Sequence, residues 1–212
     1  MIKKFIRSKI ILIGTIICIF LLILNIPTTV KYGVNYQLSS YQIPLYLKTL
    51  NFFYRHYNYK FLVRRIINEK STSQAQVKNI LNWTYQNIRP VPKGFPIKDD
   101  HLWNVIISGY GAKDQISDVF ATLCNYAGFR AFYTLNPDGI YNHTKDNPYP
   151  TYVEISNEWH IFNPNQGIEI SISENDRKKL EKISFNYLEN HSNNQTPFYR
   201  ILYYLNKLIS RI

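Results

Sequence analysis

Two aspartates spaced four residues apart form an acidic pair whose spacing suits acid–base catalysis. Asp114 and Asp118 are predicted on one helix face, because residues i and i+4 of a helix are neighbours. Paired carboxylates can share general acid and general base roles. The helix dipole explains a carboxylate in a first turn, where Asp114 falls, but it does not explain Asp118. Lys113 would be an amine nucleophile only with a neighbouring base, and the sequence shows none.

The chain has two cysteines, and the sequence does not predict a disulfide between them. Cys18 lies in a long apolar run. Cys124 lies in a helical apolar pattern near the end of a predicted helix. A free cysteine in such a pattern behaves as a small buried hydrophobe, so we expect Cys124 to be structural.

The histidines do not suggest a metal centre or a cofactor. No His-x-x-x-His spacing occurs, so we predict neither. His160 is expected to be exposed or locally bonded, since strand alternation puts it on the face opposite Asn163. Other polar candidates are a short cluster at Asp99, Asp100 and His101, and His143.

Two predicted helices and four predicted strands would position these side chains. Apolar residues at helical spacing predict a helix that begins near Ser71, Thr72 and Ser73, which are possible N-caps. A second helix is predicted over 113–127 and ends before Gly128. Strands are predicted at 129–135, 150–156, 158–163 and 168–172, with a loop over 136–149. Further helices are predicted over 36–68, 175–192 and 197–212.

The order of these elements resembles the core of the transglutaminase-like (papain-like) family. In that family a Gly-rich turn delivers a nucleophilic Cys to a helix start, and the helix ends in a Gly before a strand. A later strand begins with His, and the next ends in Trp-x-x-Phe-Asp-Pro. Residues 109–131 and the run Trp159-His-Ile-Phe-Asn-Pro164 follow this framework. The resemblance covers about residues 74–172 and implies an α+β fold, with a helix packed on an antiparallel sheet.

The family's catalytic residue types are all missing at the matching positions. Lys113 stands where the family has Cys, Pro150 where it has His, and Asn163 where it has Asp. No Cys occurs between residues 19 and 123, so a small shift of the alignment does not restore the nucleophile. Cys124 lies eleven residues further along the helix, or about 16 Å at 1.5 Å per residue. The resemblance therefore implies a domain without the family's usual activity.

The N-terminal thirty residues have the pattern of a membrane anchor. Residues 10–30 carry no charge and follow a basic flank, 1–9, that is expected to stay in the cytoplasm. No cleavage pattern follows the apolar run, which favours one uncleaved transmembrane helix over residues 10–30 rather than a signal peptide. The remaining regions are a helical linker (36–70), the transglutaminase-like domain (71–172) and a helical C-terminal extension (173–212), all expected outside the cytoplasm.

The formal net charge of +11 indicates which partners are favoured. About +7 remains outside the basic flank, which attracts negatively charged surfaces. Nucleic acid is not expected outside the cytoplasm, and no recognition signature for it is present. The predicted partners are the membrane and a protein, a peptide or an acidic envelope polysaccharide.

Three functions of different classes fit these observations. The first is a catalytically inactive binding or scaffolding module at the cell envelope. The second is a hydrolase or acyltransferase with replacement chemistry at Lys113, Asp114 or Asp118. The third is a purely structural membrane assembly protein that associates through its aromatic-rich flanking helices. Convergent polar groups in a pocket would favour the second function, and a filled groove the third.

Overall fold

The computed structural model describes residues 2–34, 37–95, 101–133 and 149–171. The predicted loop at 136–149, apart from residue 149, and the predicted helices at 175–192 and 197–212 lie outside the described residues. Within those ranges the helices are α1 (Ile2–Leu24), α2 (Leu45–Ile66), α3 (Ser73–Asn87), α4 (Leu102–Ser108) and α5 (Lys113–Tyr126). The strands are β1 (Pro27–Val34), β2 (Gln37–Pro44), β3 (Arg89–Pro90), β4 (Tyr110–Gly111), β5 (Ala131–Tyr133), β6 (Thr151–Ile155), β7 (Glu158–Asn163) and β8 (Ile168–Ile170).

The N-terminal part differs from the prediction of one helix over 10–30. Helix α1 ends at Leu24, and β1 and β2 then form an antiparallel hairpin. Proline is poorly tolerated inside a helix, and the β-branched residues after Pro27 favour a strand. Residues 37–44 of the predicted helical linker are also a strand, so the linker helix α2 begins only at Leu45.

Across the part of the chain that the structure describes, no helix combines the length and the apolar character needed to cross a membrane.

Helix α5 lies at the centre of the core. Its buried side chains pack against α3 on one side and the β5–β8 sheet on the other. Phe120 of α5 meets Phe162 of β7 edge to face, with ring centroids 5.4 Å apart. These α5 residues are buried: Ile116, Val119, Phe120, Leu123 and Cys124. The helix predicted at 113–127 is therefore present, with its apolar face inward.

The sheet is antiparallel throughout and has the order β5-β6-β7-β8. Its four strands lie within the four predicted strand ranges. Ile155 pairs with Glu158, and a two-residue turn at Ser156 and Asn157 joins β6 to β7. Both turn residues have positive φ, 51° and 68°, as a hairpin turn that matches the strand twist requires. The coarse α+β prediction, a helix packed on an antiparallel sheet, agrees with this arrangement.

Candidate functional site

The start of α5 is formed by a glycine turn that brings it close to α4. Gly109 ends α4 with φ of 70°, and Gly111 lies so close to α4 that a Cβ there would meet Val105 Cγ1 at 2.9 Å. Ala112 is the N-cap residue and supplies no side-chain hydrogen bond. Lys113, the first helical residue, is exposed. The turn thus presents Lys113 at the surface, at the position that the resemblance assigns to the nucleophile.

The start of β6 is held against the second turn of α5. Ser117 Oγ donates to the carbonyl oxygen of Tyr149 at 2.6 Å, and Thr151 Oγ1 donates to the carbonyl oxygen of Ser117 at 3.4 Å. Pro150 lies between these two contacts and is buried, as is Thr151. The position that the resemblance assigns to His is therefore occupied by packed, non-basic side chains.

Asn163, at the end of β7, is 5% exposed and forms hydrogen bonds within its own turn. Its Nδ2 donates to Gln166 Oε1 at 2.8 Å, and its Oδ1 accepts from the backbone N–H of Asn165 at 3.1 Å. Asn165 in turn donates from Nδ2 to the carbonyl oxygen of Lys113 at 3.2 Å. The structure thus links the segments that carry Lys113 and Asn163 through one residue.

Cys124 is fully buried in the last turn of α5. Burial raises the pKa of its thiol well above the ordinary value. Because the thiolate is the reactive form, this cysteine is a core residue and a poor nucleophile.

Asp118 is the strongly perturbed carboxyl of α5. Burial raises its pKa to about 7, a hydrogen bond from Thr122 Oγ1 at 3.4 Å opposes that shift, and the charge of Asp114 adds to it. A carboxyl with such a pKa exchanges a proton near neutral pH, which suits a general acid or base. Of the two acidic candidates, Asp118 therefore has the property that acid–base chemistry needs.

Tyr59, on another helix, lies close enough to this carboxyl to feel its charge. The ring of Tyr59, in α2, is stacked 4.9 Å from Tyr126 and meets Trp103 of α4 edge to face at 5.2 Å. Burial raises the pKa of the Tyr59 hydroxyl, and the charges of Tyr126 and Asp118 raise it further. The sequence analysis did not single out Tyr59, because α2 lies before residues 74–172, the part that resembles the family. The aromatic residues of α2 were the signal that could have found it.

His160 was predicted to be either exposed or locally bonded, and in the structure it is locally bonded. Its Nδ1 lies 2.9 Å from Glu169 Oε1, and Lys78 Nζ lies 3.6 Å from Glu169 Oε2. His160 also lines an open pocket of about 600 Å³ whose other lining residues are Thr72, Ser73, Gln74, Ile155, Ser156 and Glu158. None of these lining residues belongs to the start of α5.

The other polar candidates contribute little to a site. His101 is the N-cap of α4, where its Nδ1 accepts from the backbone N–H of Trp103 at 3.2 Å. Asp99, Asp100 and His143 lie outside the described residues. Among the residues that the structure does describe, no three His, Cys, Asp or Glu side chains are grouped to hold a metal ion.

Comparison with known proteins gives only remote similarities. No family model and no curated protein matches the sequence. A candidate cysteine protease from Cytophaga hutchinsonii aligns in structure at 16% identity and a TM-score of 0.42, over 56% of this chain and 42% of that protein. A candidate protease from Parabacteroides distasonis aligns at 13% identity and a TM-score of 0.37, over 70% of this chain and 40% of that protein. The chain thus spans about two fifths of the length of either protein.

Proposed function

We propose that the chain is a catalytically inactive, transglutaminase-like binding module. The proposal rests on the side chains at Lys113, Pro150 and Asn163, the three positions that the resemblance assigns to a catalytic triad. Asn163 uses its amide within its own turn, and Thr151 uses its hydroxyl to hold β6 to α5. Pro150 has no titratable group, and Lys113 is an exposed amine. Such a site lacks the base and the thiol of the family's chemistry but keeps a surface between helix and sheet.

An activity assay on the full chain tests this proposal. We expect no hydrolysis of peptide substrates and no acyl transfer to glutaminyl substrates above the uncatalysed rate, because loss of a triad member costs orders of magnitude. Turnover that Cys124→Ala abolishes would overturn the proposal. Turnover that survives Cys124→Ala and is lost in Lys113→Ala would instead indicate an amine nucleophile.

The proposal includes a place for the module at the cell envelope, held by the apolar N-terminal segment. Large apolar side chains of α1 are exposed, among them Ile11, Phe20 and Leu22 at 57–72%. Exposed apolar surface on this scale favours a lipid or protein environment. Fractionation of cells followed by a carbonate wash tests it: we expect the intact chain in the membrane pellet. Release of a shortened soluble protein would indicate cleavage.

A second function, acid–base catalysis at Asp118, is favoured by the perturbed pKa of that carboxyl, about 7. In this function Asp118 would transfer a proton to or from a substrate bound beside Tyr59. A hydrolase of this kind should lose at least about a hundredfold in kcat with Asp118→Asn. Its kcat/KM should also change with pH around the same pKa. Lack of any turnover by the unaltered chain against ester, amide and glycoside panels would count against it.

A further inference from the structure

One side chain at the start of α5 has a buried donor with no hydrogen-bond partner among the described residues. Gln115 is 6% exposed, and its Oε1 accepts from the backbone N–H of Ala112 at 2.9 Å. That contact fixes which way the carboxamide faces. The other end of the group, Nε2, is buried and has no hydrogen-bond partner in the described part of the chain. Because a buried, unsatisfied donor costs free energy, this position favours an acceptor that the described residues do not supply.

Ala112, the N-cap residue of the same helix, supplies no side-chain cap. Gln115 forms the reverse half of a capping box by accepting from Ala112, but alanine has no oxygen to return the contact. The first intrahelical bond runs from Ile116 N–H to the Ala112 carbonyl oxygen. The N–H groups of Asp114 and Gln115 precede it, so they have no partner within the helix. They point towards the N-terminal end, where the helix dipole favours negative charge.

These two observations call for one chemical group. A carboxylate has two oxygens, so it can accept from the Gln115 Nε2 and from a backbone N–H of the first turn together. The exposed Lys113 adds positive charge at the same end of the helix. The net charge of +11 attracts anions to the chain as a whole.

One group opposes an anion here. Asp114 is negative in the same turn, but it lies about 100° around the helix from Gln115. Its charge acts on Asp118, four residues on, so it faces that side of α5. Its charge should weaken anion binding without blocking it.

We infer that the start of α5 binds a carboxylate group of a ligand, through Gln115 Nε2 and the backbone N–H groups of the first turn. This inference rests on the proposed binding function and gives it a ligand class. The carboxylate can come from an acidic sugar or from an acidic peptide. Both present the same two oxygens.

The test measures binding to the full chain in mild nonionic detergent at physiological salt, by isothermal titration calorimetry. The probes are trigalacturonate, its uncharged methyl ester and triglutamate. Gln115→Glu keeps the oxygen that accepts from Ala112 but replaces Nε2 with an anionic oxygen, so the helix start should fold while the carboxylate is repelled. Gln74→Glu is the matched control, because it adds the same charge to the first turn of α3.

We expect at least one of the two carboxylate trimers to bind, and the one that binds identifies the source. Gln115→Glu should weaken that binding at least about tenfold, the scale of one charge-assisted hydrogen bond. Gln74→Glu should leave it unchanged, and Asp114→Asn should strengthen it. Equal binding of the methyl ester, unchanged binding by Gln115→Glu or no binding of either trimer would overturn the inference. Chromatography of the recovered probes shows whether they have been cleaved. Cleaved probes would contradict the proposed inactive module, whether or not the carboxylate site exists.

Discussion

Asn165 Nδ2 donates to the carbonyl oxygen of Lys113 at 3.2 Å, across 52 residues of sequence. This bond ties the turn after β7 to the first residue of α5. Asn163, two residues earlier, holds the same turn in shape through the backbone N–H of Asn165. The positions that resemble a nucleophile and its orienting residue are therefore joined by structural hydrogen bonds.

Asn163→Ala should lower the free energy of unfolding by about 1–3 kcal/mol. The change removes two hydrogen bonds at a residue that is 5% exposed, and it leaves Gln166 Oε1 and the Asn165 N–H without those contacts. Urea denaturation followed by circular dichroism gives the measurement. Asn87→Ala, an exposed site with one bond to its own helix, is the control and should change stability by less than about 0.5 kcal/mol. Equal effects at both sites would contradict a structural role for Asn163.

Asp118→Asn should stabilise the chain at pH 8 and have little effect at pH 4. The pKa of Asp118 is about 7 in the folded chain and near 3.8 in an ordinary environment, so the folded state binds more protons between these values. The unaltered chain therefore loses stability as pH rises from about 4 to 7, and an asparagine avoids that loss. We expect a gain of about 1–4 kcal/mol at pH 8.

Denaturant titrations of both chains from pH 4 to pH 8 measure this difference. Glu69→Gln, at an exposed carboxylate, is the control. A difference for Asp118→Asn that does not vary with pH would mean that its carboxyl is not desolvated.

Gly167→Ala should destabilise the chain more than Gly128→Ala. Both glycines have positive φ, 67° and 95°, which an alanine adopts only with strain. At Gly167 the added Cβ would also meet Tyr85 Cγ at 2.8 Å, whereas nothing lies within 4 Å of one at Gly128. Thermal unfolding should show losses of about 1–3 kcal/mol at Gly167 and about 1 kcal/mol at Gly128. The reverse order would show that Tyr85 moves aside without cost.

Cys124 should resist alkylation in the folded chain. Its thiol is fully buried and its pKa is raised, so both access and the thiolate fraction are low. Iodoacetamide treatment and mass spectrometry should show slow modification at Cys124. Cys18→Ser leaves Cys124 as the single thiol of the chain. Addition of denaturant should then make Cys124 reactive. Rapid modification of Cys124 without denaturant would contradict the buried assignment.

The central elements could be predicted because short-range signals define them. Gly128 and the apolar spacing of α5 marked the helix and its end, and the alternation around Asn157 marked the hairpin. The β1–β2 hairpin was missed, because the apolar run before Pro27 suggested a longer helix. The two-residue strands β3 and β4 and the seven-residue α4 were also missed, since such short elements carry no periodicity.

The candidate site was predicted less completely than the fold. Lys113 and Asn163 could be placed by position along the chain, because each lies at the end of a regular element. The environment of Asp118 could not be predicted, since it depends on how α2, which carries Tyr59 about sixty residues earlier, packs against α5. The hydrogen bonds of Gln115 were equally hidden, because only the folded turn shows which of its ends is satisfied.

The β1–β2 hairpin determines how far the rest of the chain can move from α1. The pairing of Pro27 with Pro44 returns the chain to its starting point, and Leu45 N–H donates to the carbonyl oxygen of Ile26 at 2.9 Å. The eighteen residues 27–44 could span about 60 Å if extended, yet they add almost no reach between α1 and α2. If α1 is fixed to a surface, α2 stays beside that surface as long as the hairpin is paired. Opening the hairpin would release a tether several nanometres long.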